Sequence, residues 1–173
     1  MTNSTNNWIE CLKKETGLEA KEGTASLQYV LDVDKQEAHQ TLAYLKRAGF
    51  GQLSLLTCID WIEQGTFQLI FILMHWELGH HLIVRALLDR ENPEFTTITD
   101  IYPGAAYYER EVYEFFGVHF RGSAVYQKPL FLERWDDMPP LRKDFDPQAY
   151  SDGKFPKREH PHVFKANVVE VTE

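Results

Sequence analysis

Histidines, two cysteines and a knot of glutamates are the residues of this chain whose types could do chemistry. His75, His80 and His81 flank one short turn, and His160 and His162 bracket a proline near the C-terminal end. A zinc or iron site would need such imidazoles joined by thiolates or carboxylates at ligand spacing. Cys11 and Cys58 stand alone, and adjacent His80 and His81 project to opposite faces of a strand. The pattern predicts structural or surface histidines, His119 included, and no metal site. Glu109, Glu111 and Glu114 could do acid–base work only if two of them faced a common cleft. Residues 109 and 111 diverge on a helix, whereas Arg110 and Glu114, four apart, can pair. No nucleophile or phosphate loop accompanies them, so no catalytic or cofactor-binding residue is expected.

The same glutamates lie in the segment Tyr107-Tyr-Glu-Arg-Glu-Val-Tyr-Glu-Phe-Phe-Gly117. As a helix, it aligns Ala105, Tyr108, Val112, Phe115 and Phe116 in one apolar stripe. Glu109, Arg110, Glu111 and Glu114 are then expected on its flanks and back. Aromatic side chains beside arginine favour interface cores, so recognition is the expected role. A second such stretch is Pro129-Leu-Phe-Leu-Glu-Arg-Trp-Asp-Asp-Met-Pro-Pro-Leu-Arg-Lys-Asp-Phe145. Arg134, Arg142 and Lys143 alternate there with Trp135, Leu141 and Phe145. Guanidinium groups pair bidentately with carboxylates and stack on rings, which is docking chemistry. Proline restricts the free segment and lowers its ordering cost on binding.

The elements that must position these residues follow from periodicity. Trp8 to Glu15 reads as a short helix stopped at Gly17. Residues 26–33 read as a strand, followed by a helix with a capping-box-like start at Asp34 and Glu37 and a stop at Gly49. Three runs, 52–63, 66–76 and 80–88, are strand-like and separated by short glycine-containing turns, which predicts antiparallel hairpins. The most apolar run, 66–76, belongs inside the sheet. Thr96 to Asp100 is compatible with a short helix or a crossing segment, and Pro103 suits the entry of the aromatic helix. The fold class is therefore α+β: a mainly antiparallel sheet with helices on one face, followed by an extended irregular C-terminal segment. Residues 1–120 form the domain, and residues 121–173 form a proline-rich basic and aromatic tail that wraps a partner.

Composition narrows the partners. The formal net charge of -8 argues against a nucleic-acid binder. Residues 121–166 reverse that trend, with nine basic and seven acidic side chains. Two lone cysteines suit a reducing compartment. No signal peptide is read in the polar start, and the greasiest run, 67–76, is too short to span a bilayer. Association with a membrane is expected only through partners.

Glu109-Arg-Glu-Val-Tyr-Glu-Phe-Phe-Gly-Val-His-Phe120, followed by Pro-Leu-Arg-Lys-Asp-Phe at 140–145, resembles the 30 kDa subunit family of respiratory complex I. That family includes a subunit of NADH-quinone oxidoreductase and the equivalent subunit of membrane-bound NiFe hydrogenases and related complex I-like complexes. The resemblance covers roughly residues 25 to 147, with its specific part at 109–145. One departure is the stretch Gly122-Ser-Ala-Val-Tyr-Gln-Lys128, where the family usually shows a Gly-His-Pro-like step. The short chain and the Pro-Pro-Leu-Arg-Lys-Asp-Phe ending lean toward the hydrogenase-like branch.

The resemblance implies a cofactor-free subunit in the peripheral arm of an ion-translocating oxidoreductase, on the cytoplasmic side of the membrane. Its partners would be the large catalytic subunit and iron–sulfur subunits. Iron–sulfur clusters, and NiFe or quinone sites, would belong to those partners, since two lone cysteines cannot supply the four ligands of a cluster. Docking would fall to Glu109, Arg110, Glu111, Glu114, Phe115, Phe116, Arg134, Trp135, Leu141, Arg142, Lys143 and Phe145. Arg110 and Glu111 would anchor the helix, and Trp135, Arg142 and Lys143 would clasp the partner. The alternatives are a small stand-alone enzyme using the histidines and glutamates, or a free adaptor domain using the same surface.

Overall fold

The chain folds around a five-stranded sheet whose order is set by two long hairpins and one crossover. The computed structural model describes residues 7–155; the expectations for His160, His162 and the tail from 156 to 173 lie outside them. Helix α1 spans Asn7–Thr16, β1 Lys21–Glu22, β2 Gln28–Asp32 and α2 Ala38–Arg47. Strands β3 (Gln52–Trp61), β4 (Thr66–His75) and β5 (His80–Asp89) follow as antiparallel neighbours. The sheet order is β1-β2-β5-β4-β3, with β2 running parallel to β5. Helix α2 makes the crossover that a parallel pair requires. Strand β6 (Glu94–Thr96), helix α3 (Ala105–Phe116), strand β7 (His119–Arg121) and helix α4 (Pro147–Lys154) complete the described chain.

Alternation decides which sheet face is covered. Phe67, Leu69, Phe71 and Leu73 of β4 point one way and are fully buried. They meet Leu82 and Val84 of β5, Leu42 and Leu45 of α2, Leu12 of α1, and Val112 of α3 in one core. Each fully buried side chain of this size contributes about 1.5–3 kcal/mol of transfer free energy. The opposite face carries a cross-strand aliphatic row, Val30–Ile83–Ile72–Leu55, with these side chains only partly covered.

Helix ends differ in detail from the sequence reading. The Asp34 carboxylate accepts from the Gln36 N–H at 2.9 Å, making an Asx-type turn. Helix α2 then begins at Ala38 with Glu37 as its N-cap and no side-chain cap. Asp34 therefore terminates the strand turn and does not cap the helix. Gly49 does stop α2: its φ is +104°, and a Cβ there would collide with Nε2 of His75. Helix α3 ends at Gly117 with φ +81°, as its sequence predicts.

Helix α1 is held by one buried polar contact. Trp8 donates its indole N–H to Nδ1 of His80 at 2.9 Å and packs edge-on to Phe50 and Tyr29. His80 is fully buried, and its other ring nitrogen meets no hydrogen-bond partner among the described residues. Burial, and then His75 nearby, lower the pKa of His80 from its ordinary value. His80 thus packs in the core and holds α1 to the sheet. Among the described residues no group of three or more His, Cys, Asp or Glu could hold a metal ion.

Candidate functional site

Helix α3 and the chain after β7 meet along one side of the domain, and two carboxylates organise the contact. The first is Glu114. Its two oxygens accept three successive backbone N–H groups, from Leu130, Phe131 and Leu132, at 2.9–3.0 Å. One turn back, Arg110 donates from Nε to the Lys128 carbonyl at 2.9 Å, and from Nη2 to that of Pro129. The pairing of Arg110 with Glu114 expected from their spacing gives way to these contacts, because each reaches an otherwise unsatisfied backbone group. Phe115 stacks on Phe131 with ring centroids 6.0 Å apart.

The second carboxylate is Asp60, on the covered face of β3 in line with Leu56 and Cys58. Its side chain is fully buried and bidentate with Arg90, at 2.8 and 3.0 Å. It also accepts the backbone N–H of Lys143 at 2.8 Å. Arg90 reaches onward to Asp144 at 2.7 Å. Burial raises the pKa of Asp60, but Arg90 and the Lys143 N–H outweigh it and leave the carboxyl below its ordinary range. Arg90 in turn holds Asp144 below that range. The Leu141 N–H donates to the Phe115 carbonyl at 3.1 Å, satisfying an end group of α3. Residues 129–145 are therefore laid on their own domain.

The sequence-predicted residues separate into three groups. Glu109 lies inside, fully buried, where it accepts from the Ile98 N–H at 2.8 Å, with the Thr97 hydroxyl 2.8 Å from each oxygen. Burial raises its pKa despite those donors. The apolar-stripe reading put Glu109 on a flank; its spacing from Ala105, Val112 and Phe116 places it on the buried face instead. It ties α3 to the β6–α3 connection and offers nothing to a partner. Phe116 is likewise buried, edge-on to Phe67.

Arg110, Glu114, Phe115, Trp135, Arg142 and Phe145 are half-buried and fasten the segment. Trp135 stacks on Tyr150 at 4.6 Å, lies against Phe145, and donates its indole N–H to the Met138 carbonyl. Glu111, Arg134, Leu141 and Lys143 are exposed. Phe131 and Leu141 are 64% and 53% exposed, and Met138, Phe155 and Tyr107 add to the open apolar surface. Sequence reasoning missed Asp60, Arg90 and Asp144. The available signal was Asp60 itself, a carboxylate on the inward phase of an alternating strand.

Comparison with known proteins agrees with this architecture. The model of the family "Respiratory-chain NADH dehydrogenase, 30 Kd subunit" matches residues 31–151, and the chain belongs to that family. It is 32% identical over 118 residues to a subunit of the F(420)H(2) dehydrogenase of Methanosarcina mazei, covering 66% of this chain and 73% of that one. It is 32% identical over 128 residues to a subunit of the NADH-quinone oxidoreductase of Moorella thermoacetica, covering 74% and 85%. Against the longer C/D proteins of NADH-quinone oxidoreductase from Phocaeicola vulgatus and Aquifex aeolicus, the chain spans only 22% and 25% of their length. A chain in the structure of the membrane-bound sulfane sulfur reductase, an archaeal respiratory membrane complex, superposes with a TM-score of 0.75 at 30% identity. That match covers 89% of this chain and 95% of the other.

Proposed function

We propose that this chain is a cofactor-free structural subunit in the peripheral arm of a complex I-like, ion-translocating oxidoreductase. It docks on the large catalytic subunit, beside iron–sulfur subunits, at the cytoplasmic side of the membrane. One observation carries the reading: an ionic latch and a carboxylate-bound turn hold residues 129–145 in place while Phe131, Met138 and Leu141 point outward. A segment fixed before binding loses little entropy on binding, and its apolar side chains then serve as anchors. The named relatives are themselves subunits of NADH-quinone oxidoreductase, F(420)H(2) dehydrogenase or a respiratory membrane complex, which supports the oxidoreductase setting. Iron–sulfur clusters, and NiFe or quinone chemistry, reside in the partner subunits. No described helix is long and apolar enough to cross a membrane, which suits attachment through partners.

The test is affinity purification of the tagged chain from its native host. Co-purification of the large catalytic subunit and iron–sulfur subunits is expected, with their loss when Phe131→Asp and Leu141→Asp are combined. Recovery of the wild-type chain without such subunits would refute the reading.

A further inference from the structure

A cavity of about 440 Å³ lies between the C-terminal end of α3 and residues 127–142, and its charged lining is unevenly satisfied. Its carboxylates are engaged. Glu114 holds three backbone N–H groups, and Asp137 accepts the Met138 N–H at 2.7 Å. Its cations are not engaged to the same degree. Arg142 is held against the Phe67 ring, 5.4 Å from the centroid, with only 22% of its side chain exposed. Its Nε is itself buried and makes no hydrogen bond among the described residues, and none of those residues accepts from Nη1 or Nη2, the donors left for a ligand. The nearest carboxylate oxygen recorded is Oδ1 of Asp144, 3.6 Å away, and that oxygen already accepts Arg90 at 2.7 Å. Gly117, which also lines the cavity, lies beside the guanidinium: a Cβ there would stand 3.3 Å from Cγ of Pro139 and in ordinary contact with Nη1 of Arg142. Lys128 adds a second cation to the lining of the same opening.

From this imbalance we infer that the cavity receives an aspartate or glutamate side chain of the partner subunit, bound by the Arg142 guanidinium. The inference rests on the docking role proposed above and names the chemistry of its anchor. A half-buried guanidinium with unspent donors and a fixed orientation selects a planar carboxylate, and it gains strength as the interface excludes water. Arg142 and Lys143, adjacent in sequence, thus have different tasks. The Lys143 backbone closes the latch, while the Arg142 side chain packs on Phe67 and presents its remaining donors to the partner.

The experiment uses the intact complex carrying Arg142→Lys in this chain. A carbodiimide joins the introduced amine to a carboxylate in contact with it, and peptide mass spectrometry locates the bond. The expected result is an amide link between position 142 and an Asp or Glu of another subunit. A link to this chain's own Asp144 alone, or no link at position 142, would overturn the inference. In parallel, Arg142→Gln should speed dissociation from the partner at least about tenfold, with Arg142→Lys intermediate. Unchanged dissociation of a folded Arg142→Gln chain also counts against it. Absence of any partner from the wild-type preparation would instead defeat the docking reading itself.

Discussion

The backbone N–H of Lys143 donates to Oδ2 of Asp60 at 2.8 Å, joining residues 83 positions apart. The same carboxylate is bidentate with Arg90, which also holds Asp144. Strand end, loop and C-terminal segment are therefore held by one buried ionic centre. Such centres gain little over apolar packing but are costly to break on one side.

Asp60→Ala should accordingly destabilise the isolated chain by about 2–3 kcal/mol, because largely buried Arg90 loses its bidentate partner and keeps only Asp144, while the Lys143 N–H loses its acceptor. Urea unfolding measures the loss. Limited proteolysis should show new cleavage within 129–145 before the domain unfolds. The acid response has a defined sign. Asp60 and Asp144 both have folded pKa values below the ordinary 3.8, so their stabilisation is present above that value. It is lost as pH falls through the folded values.

Glu109 behaves in the opposite sense. Its folded pKa is raised above the ordinary 4.5 by burial, so its contribution is fully present below 4.5 and is lost as pH rises through the folded value. Glu109→Gln keeps an acceptor for the Ile98 N–H and should flatten the stability profile above pH 4.5. Glu109→Ala leaves that N–H unsatisfied and opens a cavity, at a cost of about 2–4 kcal/mol. Urea midpoints measured across pH for both variants provide the comparison.

Helix α1 should come loose on mild acidification. Protonated His80 has no lone pair on Nδ1 to accept from Trp8, and its folded pKa lies below the ordinary 6.5. The group's stabilisation is present above 6.5 and disappears as pH falls through the folded value. His75, Trp8 and Tyr29 are the ring groups near it, and among the described residues no carboxylate lies beside it to hold the charge. Faster amide exchange in residues 7–16 at reduced pH, with the sheet still protected, is the expected observation.

Glu114→Ala should release the 130–132 turn without unfolding the domain. Three N–H groups lose their acceptor at once, and Phe131 loses its fixed stack on Phe115. Hydrogen exchange at Leu130, Phe131 and Leu132 should accelerate at least about tenfold, corresponding to more than about 1.4 kcal/mol of local stability.

Much of this architecture was legible in the residue pattern, for identifiable reasons. The almost continuous apolar run at 66–76 revealed a strand inside the sheet, and Gly49 and Gly117 marked helix ends, where each takes a positive φ. The parallel pairing of β2 with β5 was not legible, since alternation gives a strand's faces but not its neighbour. Strands β6 and β7, of three residues each, are too short to show a period. At the site, the aromatic and basic residues were found by composition, but their division of labour was not. Glu109 looks like its neighbours Glu111 and Glu114 in sequence. Only its register with Val112 and Phe116 sends it inward, and only tertiary contact shows that Glu114 binds a turn.

The span between Asp60 and Lys143 also orders events during synthesis. The carboxylate emerges from the ribosome long before the amide that completes the centre, so the helix–sheet domain can assemble while the 129–145 segment is still unmade. A nascent or truncated chain ending before residue 143 has Asp60 and Arg90 in place but lacks the amide that completes their centre. Chain order alone therefore makes the 129–145 segment the last part of this fold to be fastened.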